Sequence, residues 1–235
     1  GARGVSPSVR RQGGTVAMSG TLHDRTAEVR TRGEGVAARP PGVIGAGRGF
    51  AWLLIVSGAA GILASFVITL DKFELLRDPD FVPSCNLSPV LSCADVMRSG
   101  QASVFGFPNP VIGLAAYAAV VAIGFGLLAG AGYRRWFWAG LNLGTLLGAG
   151  FCMWLMSQAL YGIGALCLWC CLAWAATIAM FWYTTVHNLR HGVVRAPRAL
   201  VSGVQEFHWV VPVTWYGVIV LLIATRFQAY WETLL

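Results

Sequence analysis

Four cysteines in two pairs carry the chemistry open to this chain. Cys85 and Cys93 stand eight residues apart, with Pro89 between them, and Cys167-Leu168-Trp169-Cys170 is a CxxC. On a helix, positions i and i+3 share a face, which brings the two sulfurs of the CxxC within reach of a disulfide. Near a helix N-terminus the macrodipole and the unpaired N–H groups favour the thiolate, the form that attacks and leaves. Thiol exchange runs through a mixed disulfide, so a CxxC beside a second, mobile cysteine pair can pass oxidising equivalents from one pair to the other. Two other readings of the same cysteines stand beside this one. Buried cysteine is a common small hydrophobe and a lone CxxC arises by chance. Four thiolates also suffice for a closed zinc site. Cys152 and Cys171 are read as packing residues, with no metal assigned.

The elements that must position these pairs lie in lipid. Of 235 residues, 56% are hydrophobic and 11% charged, about half the charge of an ordinary soluble domain. This excludes a disordered chain as a whole and makes a nucleic-acid partner a poor explanation of the +7 net charge. Five apolar runs approach the ~20 residues that an α-helix needs to cross hydrocarbon: roughly 50–70, 110–131, 136–160, 164–186 and 209–228. The expected fold is an all-α integral membrane protein with five spans. Residues 1–48, with eight arginines against Asp24, Glu28 and Glu34, read as a disordered basic tail, and the first span as an uncleaved anchor.

The longest connection, 71–109, holds Cys85 and Cys93, and a long loop with its own cysteines is where function is expected. Lys and Arg mark the cytoplasmic side. The tail, Arg134, Arg135, Arg190, Arg195 and Arg198 gather on one side, against Lys72, Arg77, Arg98 and Arg226 on the other. The N-terminus is therefore expected in the cytoplasm, with the 71–109 loop and the C-terminus outside the cell membrane, where disulfides persist. That topology puts Cys167 at the same membrane face as the loop pair. Within the loop, Cys93, Val96 and Met97 would share one face of a short surface helix, with Asp95 and Arg98 turned to water, holding Cys93 over Cys167. His187 and His191 are expected at the cytoplasmic interface. Asn142, Thr145, Ser157 and Gln158 are expected to bond between helices, and Gly58, Gly61, Gly124 and Gly126 to allow close packing.

Taken together, the loop pair, Phe105-Gly106-Phe107-Pro108-Asn109-Pro110-Val111-Ile112-Gly113 at the entry to the second span and the CxxC at the head of the fourth resemble the vitamin K epoxide reductase family. The likeness is to its bacterial, disulfide-forming members, and it covers roughly residues 50–190. It implies a catalytic four-helix bundle over 49–190 around a quinone (menaquinone or ubiquinone), followed by a cytoplasmic loop and fifth helix over 191–235. It also implies a separate thioredoxin-fold, DsbA-like partner. By the same resemblance Cys85 exchanges with that partner, and Cys93 passes electrons to Cys167 through a transient Cys93–Cys167 disulfide. Cys170 reduces the quinone, and the resting pairs are Cys85–Cys93 and Cys167–Cys170. Asn109 falls where the family places an asparagine on a quinone carbonyl. Trp174 replaces a tyrosine that contacts the ligand in the animal enzymes; its indole N–H donates but cannot accept.

A membrane chain that oxidises thiols needs a lipid-soluble acceptor, which favours quinone independently of the likeness. The pocket should be apolar with few polar groups, and Phe107, Trp174, Trp169, Trp154 and Met153 are the candidate walls. Two further functions use the same residues: reduction of vitamin K epoxide, and a non-catalytic membrane scaffold or transporter with structural disulfides.

Overall fold

The computed structural model describes Gly1 and residues 41–232. The basic tail therefore lies largely outside the described residues, but its expected end at 48 is too late. Val43–Ile44 (β1) pairs antiparallel with Tyr133–Arg134 (β2), and the Ile44 carbonyl accepts the indole N–H of Trp138 at 3.1 Å. Two apolar residues are enough to tie this segment to the bundle.

Among the described residues, four helices are long and apolar enough to cross a membrane. They are α1 (Arg48–Arg77), α3 (Pro110–Leu128), α4 (Arg135–Ser157, continued by a π-helical turn Gln158–Ile163) and α5 (Leu168–Arg190). A fifth span exists if α6 (Arg198–Glu206) and α7 (Val210–Arg226) count as one broken helix, bent by 67°. Short helices α2 (Cys93–Arg98) and α8 (Gln228–Glu232) complete the set. The protein is thus a multi-pass, all-helical membrane bundle of four or five spans.

Two boundaries differ from expectation in ways that matter for the site. The 71–109 loop begins as helix, because α1 runs on to Arg77. At 1.5 Å per residue its 30 residues exceed the ~30 Å of hydrocarbon, so its last turns stand clear of lipid, where Asp71, Lys72, Glu74 and Arg77 are tolerated. The fourth span starts at Leu168 rather than 164. Gly164 takes a left-handed conformation, φ +75°, that ends the preceding helix as only glycine does cheaply.

Helix α1 packs against α3 and α5, and α5 against α4. The α1–α3 seam is set by glycine. A Cβ on Gly58 would stand 2.6 Å from Val121 Cγ2, and one on Gly124 2.6 Å from Ile55 Cγ1, so backbones approach as small residues alone permit. Of the polar residues expected to bridge helices, Asn142 does so, accepting from Thr185 Oγ1 at 2.9 Å, and Gln158 Oε1 accepts from Gln101 at 3.5 Å. Thr145 and Ser157 bond back into their own helix. His187 is not interfacial. It is buried and its ring lies against Phe50, Trp138 and His191, with centroids 5.0, 4.2 and 4.3 Å away. Helix α7 is tied to the bundle through Arg226 Nε on the Leu160 carbonyl (2.9 Å) and Tyr216 on Ala175 (2.7 Å).

Candidate active site

The two cysteine pairs are brought together by backbone. The Leu166 N–H bonds the Val90 carbonyl at 2.8 Å, and Leu91 and Leu166 form a parallel bridge. Cys93 follows one strand of that bridge by two residues and Cys167 follows the other by one. Both are buried, 0% and 1% exposed, in one apolar cluster with Ile68, Leu75, Cys85, Ala94 and Met97.

Helix α2 fixes Cys93 within it. Ser92 caps the helix by accepting the Asp95 N–H at 3.3 Å, and Asn86 Oδ1 takes the Ala94 N–H at 3.0 Å, leaving fewer first-turn donors orphaned. Cys93, Ala94 and Met97 form its buried face, while Asp95 and Arg98 face outward. The expected amphipathic face is present with Ala94 in it and Val96 half-buried. Cys85 and Cys93 are joined as a disulfide, whereas Cys167 and Cys170 are free thiols. The sequence reading expected both pairs closed, so the structure differs at Cys167–Cys170. With Cys85 and Cys93 spent on each other, a four-thiolate set is not assembled. Cys85 is 4% exposed.

Cys167 occupies the N-cap of α5, where its sulfur accepts the Cys170 N–H at 3.4 Å. A hydrogen bond from the Cys170 thiol, reinforced by the backbone N–H groups of Cys170 and Trp169, holds the Cys167 thiol below its ordinary pKa; burial and the nearby Asp71 oppose this.

Both thiols of the CxxC border a cavity of about 370 Å³ enclosed by α1, α3, α4 and α5, which is overwhelmingly apolar. That size and character match small-molecule sites. Asn109 and Trp174 line it. Asn109 is buried and held by the loop: its Nδ2 donates to the Gln101 carbonyl at 2.7 Å and its Oδ1 accepts the Val104 N–H at 3.1 Å. An amide NH₂ carries two donors, so one N–H remains for a ligand. We expect Asn109→Ala, which orphans the Val104 N–H, to cost about 1–2 kcal/mol in a thermal or denaturant unfolding series.

Phe107 does not belong to the wall. It is 44% exposed, because Gly106 turns the chain there with φ +83°, and its ring lies 6.3 Å from Phe105, outside the cavity. Trp169, Trp154 and Met153 are not lining residues either. Trp154 stacks on Phe151 (5.8 Å), and Met153 receives the Trp215 N–H at 3.4 Å. Cys152 packs among apolar residues as expected, yet one side borders the cavity.

Sequence reading missed Tyr117 of α3. Its hydroxyl lies 2.7 Å from Thr177 Oγ1 at the cavity wall, which places a phenol in the cavity although position 174 is tryptophan. A tyrosine eight residues after Asn109 on one helix was the available signal.

A multi-pass bundle that sets a disulfide against a CxxC thiol pair bordering an apolar cavity defines a class of membrane protein built for thiol redox chemistry. The sequence model of the vitamin K epoxide reductase family matches residues 52–185, more than half of the chain, and the protein belongs to that family. No curated protein matches the chain at a significant level. It is a membrane thiol oxidoreductase.

Proposed function

We propose that the protein re-oxidises an exported thioredoxin-fold, DsbA-like partner and delivers the electrons to quinone, so that disulfides form outside the cytoplasm. The observation that carries this reading is the position of Cys167 and Cys170, one side against the Cys85–Cys93 disulfide and the other on the apolar cavity.

The steps balance as follows. A partner thiolate attacks the Cys85–Cys93 disulfide at Cys85, and the second partner thiol resolves the mixed disulfide. The partner leaves oxidised, and Cys85 and Cys93 are left as thiols. Cys93 then attacks Cys167 of a Cys167–Cys170 disulfide, expelling Cys170 as thiolate. Cys85 attacks Cys93, reforming their disulfide and releasing Cys167. Quinone, when bound, would supply the acceptor for the two electrons and two protons of the resulting dithiol, whose sulfurs then rejoin as the Cys167–Cys170 disulfide. Asn109, with its free N–H, and Tyr117 are the polar groups available to hold a ring carbonyl, and Trp174 supplies a flat wall. The thiolate preference at the α5 N-cap favours Cys167 as leaving group in the second exchange.

The distribution of Lys and Arg supports an orientation with both dithiols at the extracytoplasmic face of the cell membrane and the N-terminus inside. A strongly oxidising thioredoxin-fold protein sits near about −120 mV, so its oxidant must be comparably oxidising, which favours the direction partner to quinone.

The test is a purified reconstitution with reduced thioredoxin-fold protein and a soluble quinone, following quinol formation by absorbance. One quinol per partner disulfide is expected. Quinol formation that needs no thiol donor, or none at all from folded protein, rules the reading out. In the same assay Asn109→Ala is expected to raise KM for quinone by about tenfold, from the loss of one directed hydrogen bond, with a smaller effect on kcat.

A further inference from the structure

Asp71 is an acid at an unexpected place. It lies three residues after Ile68 and four before Leu75 on α1. Both of those side chains pack into the cluster that contains Cys85, Cys93 and Cys167. Positions 68, 71 and 75 share one helical face, so the carboxylate is set between two residues of the cluster that holds the cysteines. Its Oδ2 is buried and has no hydrogen-bond partner among the described residues. Buried polar atoms are normally satisfied, and an orphan asks for a reason such as a catalytic role.

The groups around it leave it free. Lys72, the adjacent cation, donates instead to the Met97 carbonyl. Arg77 pairs with Glu74, and Arg98 bonds the Pro79 carbonyl. Asp95 faces outward. The titratable groups within the cluster itself are the thiols of Cys167 and Cys170, and Cys85 and Cys93 once reduced. A negative charge at Asp71 disfavours the Cys167 thiolate, the smallest of the effects on that thiol.

We infer that Asp71 carries the proton of the exchange between Cys93 and Cys167. This rests on the thiol relay proposed above. Thiolate attack requires that Cys93 lose a proton inside a cluster where Cys93 and Cys167 are closed to water, and departure of Cys167 requires that a proton be returned. The Asp71 carboxylate takes the proton of the Cys93 thiol as its sulfur bonds to Cys167 and the Cys167–Cys170 bond breaks, with Cys170 leaving as thiolate. When Cys85 attacks Cys93 and the Cys93–Cys167 bond breaks, protonated Asp71 gives that proton to Cys167. The carboxylate ends as it began. The proton of Cys85 reaches Cys170 by solvent. Over the two steps one disulfide and two thiols are exchanged for one disulfide and two thiols.

The experiment uses the full chain in detergent, with both pairs pre-oxidised and then mixed with excess dithiothreitol. Acid quenching, alkylation and peptide mass spectrometry time the appearance of thiols at Cys85/Cys93 and at Cys167/Cys170 separately. In Asp71→Asn the first pair should be reduced at the wild-type rate. The second should lag about 100-fold near pH 7, the usual size of a general-base effect. Its rate should then climb roughly tenfold per pH unit toward the ordinary thiol pKa of ~8.5, while the wild-type rate stays nearly flat. Asp71→Glu should keep the flat profile.

A lag of the same size at every pH, or no lag, overturns the assignment and leaves the relay standing. A wild-type rate that itself climbs tenfold per unit overturns it without any variant, should the asparagine protein not fold. Wild-type protein that never passes electrons between the pairs overturns the relay and this inference together.

Discussion

Cys170→Ala is expected to lower quinol formation by about 1,000-fold or more while leaving the protein folded. The sulfur is half-buried at the cavity wall, and alanine at that position of α5 preserves the helix. What is lost is the partner with which Cys167 forms the receiving disulfide. Without it Cys93 has nothing to reduce, and residues that act as a unit lose nearly all activity when one is removed. The lone Cys167 thiol, in one cluster with the Cys85–Cys93 disulfide and still accepting the N–H of residue 170, can still attack Cys93. The variant should therefore accumulate a Cys93–Cys167 disulfide once the freed Cys85 thiol is alkylated, detectable by non-reducing peptide mapping. Sustained quinol formation, or a linkage from Cys167 to any other cysteine, would contradict the assigned order of transfer.

The parts of the relay readable in the sequence were those that depend on local spacing and on composition. Apolar run length located the spans, and CxxC spacing put two sulfurs on one helical face. The short helix at Cys93–Arg98 followed from six residues of pattern, because an N-cap serine and one buried face are local facts.

What was not readable depends on partners distant in the chain. The β-bridge that sets Cys93 beside Cys167 pairs Leu91 with Leu166, and no pattern in either segment announces it. Phe107 looked like a cavity wall from its place next to Asn109, but one positive-φ glycine turned it outward. Tyr117 entered the wall only because α3 packs onto α1 and the Tyr117 hydroxyl reaches Thr177 of α5. Hydropathy also misplaced the head of α5: Gly164, Ala165 and Leu166 are apolar enough to be counted as span, while backbone conformation makes them a non-helical link that ends in the β-bridge. That link is what puts Cys167 at an N-cap rather than inside a helix, and hence decides its chemistry. The overrun of α1 beyond the hydrocarbon, invisible to a rule that counts apolar residues, is likewise what brings Asp71 to the cysteines.

Gly61→Leu should destabilise the protein by about 3 kcal/mol, at the upper end of overpacking costs, and should disable the cavity as well. A Cβ at position 61 would stand 2.5 Å from Tyr117 Cδ1 and 2.6 Å from two further ring atoms, and the leucine side chain adds three more carbons behind it. The ring cannot simply swing away. Its hydroxyl is bonded to Thr177 Oγ1, and its Cε2 edge lies 3.4 Å from the Cβ position of Gly113. Relief requires α1 and α3 to separate or Tyr117 to leave the wall, and either opens the cavity beside the CxxC. Replacing glycine by leucine inside a helix should otherwise gain about 0.8 kcal/mol from helix propensity, so a loss would isolate the steric term. Gly140 supplies the comparison: it lies on α4, and nothing stands within 4 Å of its Cβ position. Gly140→Leu is expected to be neutral or mildly stabilising in the same thermal unfolding series in detergent, with quinol formation unchanged. Equal melting temperatures for the two variants would mean that the α1–α3 seam yields at little cost and that glycine is not what holds the cavity wall in place.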